Sequence, residues 1–298
     1  MRSKPSIAVG VIVSMLLLYS GIGFCQEKVS RSEWTQIIEK MGDKGKINWA
    51  EGYIEATGIG APPERYIGKP PARPMALRAA RVDAYRNLLE ATKGVRVDSS
   101  TLVKDYTVES DAINTQVEGL VKGAKVVNQE YMSDGTVEVT MRMPIPGDFT
   151  KIIIQRVIEK RPEVTPPAAP PPAVAPPDAP AAPVPVVYTG MVVDARGLQA
   201  RPAMSPKIID ENGKEVYGSM NIDRAYAVQQ GMSGYARDLT AAQSNPRVTN
   251  NPVSVKGIKT EGPGKSDIVI SNADAEKIRS ASDNLTFLKK CRVMIVLD

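Results

Sequence analysis

The sequence predicts two small α+β domains joined by a Pro/Ala-rich linker, after an N-terminal signal peptide. Three observations carry this reading. The chain opens with positive charge followed by an apolar run, a proline-dense segment divides the rest, and stretches of helical and strand periodicity mix on both sides of that segment in α+β order. The expected divisions are a signal peptide over 1–25, a first domain over 26–161, a linker over 162–185 and a second domain over 186–298.

Arg2 and Lys4 form the charged start, and residues 7–19 are an apolar run too short and too weakly flanked for a membrane span. The stretch GIGFCQE then admits two outcomes. Ile22 and Gly23 suit lipidation of Cys25, but Phe24 stands immediately before it where a small residue is required. An ordinary cut with Gly23 and Cys25 as its small residues leaves Gln26 as the new N-terminus, and this outcome is favoured over lipidation. The expected location is the periplasm, with outer-membrane association open.

Composition excludes much chemistry. The chain has no His, which removes the commonest general base and the commonest nitrogen ligand for zinc. Loss of Arg2 and Lys4 with the signal leaves 36 Lys and Arg against 33 Asp and Glu, a balance read as spread along the chain without a basic stripe, so nucleic acid is not an expected partner. One or two cysteines build no disulfide framework. Cys291 is read as a small apolar residue on a terminal strand.

The linker holds 11 prolines in 24 residues, a composition that cannot bury enough surface to fold and that stays near polyproline II. It is read as a semi-rigid spacer between independently folding domains.

In the first domain, SRSEWTQIIEKMGDKGK is read as a helix, from a capping-box pattern at Ser30 and Glu33 and the spacing of Trp34, Ile37, Ile38 and Met41. INWAEGYIEATG reads as a strand ending at Gly58. The following GIGAPPERYIGKPPARP has the position of a phosphate-cradling loop but not its spacing, since Pro63 occupies the third glycine position and the prolines lack N–H donors. It is read as an exposed crossover. A helix follows over 75–93, with Leu77, Ala80, Ala84, Leu88 and Ala91 inward and Gly94 as C-cap, the alanines allowing close approach to a sheet. Arg78, Arg81 and Arg86 point outward and form the candidate assembly surface. Residues 95–108 read as β-rich, Ile113 to Val121 as a short helix, and Asp134-Gly135 as the turn of a hairpin. Asp148 caps a last helix.

The pieces AEGYIEATGIGAPP, ALRAARVDAYRNLLEATKGV, VEGLVKGAKVV and DGTVEVTMRMPI, in that order, resemble the flagellar outer-membrane lipoprotein P family and the related amino-terminal domain of flagellar assembly protein T. The resemblance covers residues 47–146. It implies an envelope protein that assembles into or around a rotary-motor collar, with no catalytic residues.

The second domain shows a strand in VVYTGMVVDARG, a hairpin through Asn212-Gly213, a mainly helical stretch interrupted by Gly231 and Gly234, two further strands, a helix opening at Ser271-x-x-Asp274 and a final strand containing Cys291. Asp194, Asp210 and Glu211, which lie near turns, with Tyr188 and Arg196 beside Asp194, are candidates for paired-carboxylate chemistry. Acids at turns ordinarily serve the turn itself. The expectation is a non-enzymatic scaffold or assembly factor without a cofactor or metal, working with envelope proteins or with copies of itself. The alternative is a periplasmic binding module whose second domain holds peptidoglycan or a partner protein.

Overall fold

Gly42, at φ +61°, turns the chain back after Ile38–Met41 (β1), so that this segment pairs with Gly45–Asn48 (β2) in an antiparallel hairpin. The computed structural model describes residues 36–159, 187–220, 222–280 and 282–298. Within them the expected first helix is a strand instead. Ile37 is buried and Ile38 exposed, an alternation of period two that the adjacent pair of isoleucines hides in the sequence. Ser30, Glu33 and Trp34, like Cys25 and the linker, lie outside the described residues.

INWAEGYIEATG is two strands rather than one. Trp49 to Gly52 make a tight turn, with Gly52 at φ +70°, and Tyr53–Gly60 (β3) pairs back on β2. The crossover is confirmed, with one 3-10 turn at Glu64–Tyr66. Ala72–Lys93 (α1) begins three residues before the expected start, and Pro74 fits because a first-turn proline forfeits no intrahelical bond. Val103–Glu109 (α2) replaces part of the expected β-rich stretch. The Asp105 carboxylate accepts from the Leu102 amide at 2.7 Å and closes its first turn. Asp111–Lys122 (α3), Lys125–Tyr131 (β4) and Val137–Pro144 (β5) follow as read, with Gly135 at φ +88° in the hairpin turn; Asp148–Glu159 (α4) also forms, but Asp148 is its first residue and not its cap. The first sheet is antiparallel in the order β1-β2-β3-β5-β4, and α1 crosses one face of it.

The second half holds Gly190–Asp194 (β6), Ile208–Asp210 (β7), Glu215–Tyr217 (β8), Arg224–Gln230 (α5), Gly234–Ala236 (β9), Leu239–Gln243 (α6), Pro252–Glu261 (β10), Asp267–Ile270 (β11), Asn272–Arg279 (α7), Ser282–Lys289 (α8) and Val293–Val296 (β12). Strand β9 was not expected inside a helical stretch. Cys291 precedes β12 rather than lying in it, in a left-handed turn at φ +54°. The mixed seven-stranded sheet runs β8-β7-β11-β10-β6-β12-β9, and its two edge strands are three residues each, short enough to blunt edge pairing.

Both halves are α+β, yet they are not independent bodies. One contiguous cluster of buried side chains contains Ile54 and Leu88 from the first and Ile268 and Ile295 from the second. Backbone bonds cross the seam: Met204 N–H to the Arg96 carbonyl at 3.0 Å, Ser205 N–H to Val97 at 2.7 Å, and Gly147 N–H to Val228 at 2.7 Å. Glu39 gathers side chains from both sides, accepting from Trp49 Nε1 at 3.1 Å, from Arg96 at 3.1 Å and from Arg201. Buried Arg96 also donates to the Pro202 carbonyl at 2.7 Å, and Trp49 meets Tyr235 edge to face.

Candidate functional site

Helix α1 is held by its backbone, not by long side chains. A Cβ placed on Gly58 would stand 2.0 Å from the Ala84 nitrogen, and one on Gly60 would stand 2.3 Å from the Ala80 nitrogen, so glycines of β3 and alanines of α1 meet at van der Waals limits. Ala76, Ala80, Ala84, Leu88 and Ala91 are fully buried, while Leu77 lies at the margin. Helical geometry then sends Met75, Arg78, Val82 and Arg86 to the opposite side, where all four are exposed.

On that side Arg78 and Arg86 flank a shallow depression of about 580 Å³, floored by Ala61, Pro63, Met75 and Val82. Arg81 projects from the flank of the helix. Among the described residues no carboxylate pairs with Arg78, Arg81 or Arg86. Asp83 is already engaged: it accepts from the Ile59 amide at 2.9 Å and from Lys44 at 3.4 Å. Burial pushes its carboxyl up, but those two donors outweigh it and hold the group below its ordinary value.

The near-balance of charge over the whole chain conceals a local excess of cations. Between residues 65 and 86 stand Arg65, Lys69, Arg73, Arg78, Arg81 and Arg86 against Asp83 alone, and all six cations are exposed. The reading of charge as evenly spread is therefore corrected. Arg65 stacks on Tyr66 at 4.9 Å and Arg73 on Tyr131 at 5.6 Å. Tyr131 is on the α1 side of the sheet, since its cross-strand partner Val137 faces the core, whereas Glu130 and Glu138 pair on the other side. A charge count over a helix-length window would have found this face.

The candidate carboxylates of the second half are not brought together. Asp194 and Asp210 end strands β6 and β7, with β10 and β11 between them, a separation of about 14 Å at ordinary strand spacing. Each has its own partner. Arg196 forks onto Asp194 through Nε at 2.8 Å and a terminal nitrogen at 2.7 Å, and Arg279 reaches buried Asp210 at 2.8 Å. Those bonds to Arg196 and Arg279 are the largest influences on the two carboxyls and hold both below the usual range. Glu211 accepts from the Asn272 amide at the start of α7, and Tyr188 lies under Lys277. Buried Cys291 has its thiol pushed up to about 11 by burial. Among the described residues no three His, Cys, Asp or Glu side chains group as a metal site, and no helix is long and apolar enough to cross a membrane.

What the fold defines is a pair of α+β modules that share one buried core, with a row of exposed arginines on α1. Residues 190–298 match the family model described as Treponema pallidum Tp0624, second domain, so the second module is similar to a domain found in that protein. No curated protein matches the chain.

Proposed function

We propose that this is an exported, non-enzymatic envelope protein that acts as a scaffold or assembly factor for a flagellar or related envelope complex. The observation that carries the reading is the division of labour on α1. One side is committed to the core through Ala76, Ala80 and Ala84, while Arg78, Arg81 and Arg86 stand exposed without carboxylate partners among the described residues. Exposed cations contribute little to stability, so a row of them beside exposed Met75 and Val82 is better explained by contact with something else. The resemblance over residues 47–146 supports the flagellar direction. Isolation of the protein from gently solubilised envelopes tests the reading: it should travel in a particle larger than one chain, and recovery only as a free monomer would remove the scaffold role.

The alternative is a binding module in which the C-terminal half, similar over residues 190–298 to a domain of another protein, holds peptidoglycan or a partner protein and the first half docks it. Cosedimentation of the full chain with isolated peptidoglycan separates the two.

A further inference from the structure

We infer that the α1 face is a docking surface for the anionic headgroups of a phospholipid bilayer. The inference rests on the reading that this face is the working surface, and it names the chemistry of what covers it.

Three observations choose this occupant. First, the segment 65–86 carries six exposed cations against one engaged acid, with Arg78 and Arg86 beside the apolar depression on the outward side of α1, and five of the six are arginines, whose planar guanidinium groups suit bidentate contact with phosphate. Glu64 and Glu90 only bound it. Second, apolar side chains stand between the charges on projecting elements. Ile67 is 61% exposed at a proline-flanked turn, and Val82 is 55% exposed on the ridge of α1. Tyr66 and Tyr131, each stacked by an arginine, sit at its margin as aromatic residues do at membrane interfaces. Third, a second copy is a poor occupant. A twofold contact would set Arg78, Val82 and Arg86 against the same residues, cation against cation.

Docked this way, Arg78, Arg81 and Arg86 contact lipid phosphates while Ile67, Met75 and Val82 enter the headgroup layer. Each cation near an anionic surface is worth about fivefold in binding, so neutralising three should weaken it roughly a hundredfold.

Vesicle cosedimentation of the purified exported chain tests this. Vesicles of phosphatidylcholine with about one-third phosphatidylglycerol should bind it, and phosphatidylcholine alone should not. Salt at about 0.5 M should release it, because screening then acts within a few ångströms. R78Q/R81Q/R86Q should bind roughly a hundredfold more weakly at an unchanged melting temperature. I67S/V82S should bind more weakly with the salt dependence retained. Equal binding to both vesicles, or wild-type binding by the triple variant, overturns the inference; if the triple variant melts early, R78Q alone is read instead, with about fivefold loss expected. A chain that ignores both vesicles yet is recovered in an envelope particle with protein partners would overturn the lipid inference and leave the scaffold reading standing. Vesicle binding without any envelope particle would do the reverse.

Discussion

Gly58 of β3 lies directly beneath Ala84 of α1, so close that a methyl group on its α-carbon would stand 2.0 Å from the Ala84 amide nitrogen. This contact sets the height of α1 above the sheet and thereby fixes which of its residues face outward. Gly58→Ala should therefore destabilise the protein by about 3 kcal/mol, the upper range for overpacking, and Ala84→Leu by about 1–3 kcal/mol. Gly119, inside α3, has nothing within 4 Å of its Cβ position, so Gly119→Ala should instead stabilise by about 0.5–1 kcal/mol. Denaturant titration of the three variants reads both signs.

The seam predicts joint unfolding. Trp49 is 6% exposed and packs on Tyr235 of the other half, so Trp49→Ala should cost about 3–5 kcal/mol. Wild type should lose far-UV and near-UV circular dichroism in one coincident transition. Two separated transitions would show that the halves unfold independently.

Acid should weaken the fold through Glu39 and Glu55. Burial pushes both carboxyls up, but Arg96 and Arg201 at Glu39, and Lys46 and Arg142 at Glu55, more than offset it, and both groups lie below their usual value. A depressed folded pKa gives stability that is complete above the unfolded carboxylate range and lost as pH falls through the folded value. Burial raises Asp267 despite the Ser99 hydroxyl, so protonating it acts in the opposite direction. The melting temperature should thus fall below about pH 4, less steeply than two depressed carboxylates alone would give. Glu39→Gln should be less stable at pH 7, because buried Arg96 loses its counter-charge, and should show a flatter acid limb.

Cys291, with its thiol raised to about 11 and buried, should react with a thiol reagent at neutral pH only as the protein opens. Labelling in native buffer should be slow and should become fast in denaturant. Fast native labelling would mean that the turn at Cys291 is open.

Local signals carried most of the fold. The β4–β5 hairpin is legible because Asp134-Gly135 supplies the positive φ its turn needs, and α1 is legible because its alanines recur at helical spacing. Strand β1 is not, since Ile37, Ile38 and Met41 fit a helical period as well as a strand, and only pairing with β2 decides between them. The seam is hidden for another reason. Glu39, Arg96 and Arg201 are remote in sequence, and no local pattern announces their meeting. Of the candidate site, the three arginines were legible as an outward face, whereas Arg65, Lys69 and Arg73 escaped because charge was summed over the chain instead of over the segment.

The exposed arginines of α1 should hold this protein at the envelope. Cell fractionation of the wild type and of R78E/R81E/R86E tests it most directly, with melting temperature as the control for folding, since exposed cations are worth only about 0–1 kcal/mol each. The wild type should sediment with the envelope and the triple reversal should be released in soluble, folded form. Equal distribution of the two proteins, whether both retained or both released, would contradict the claim.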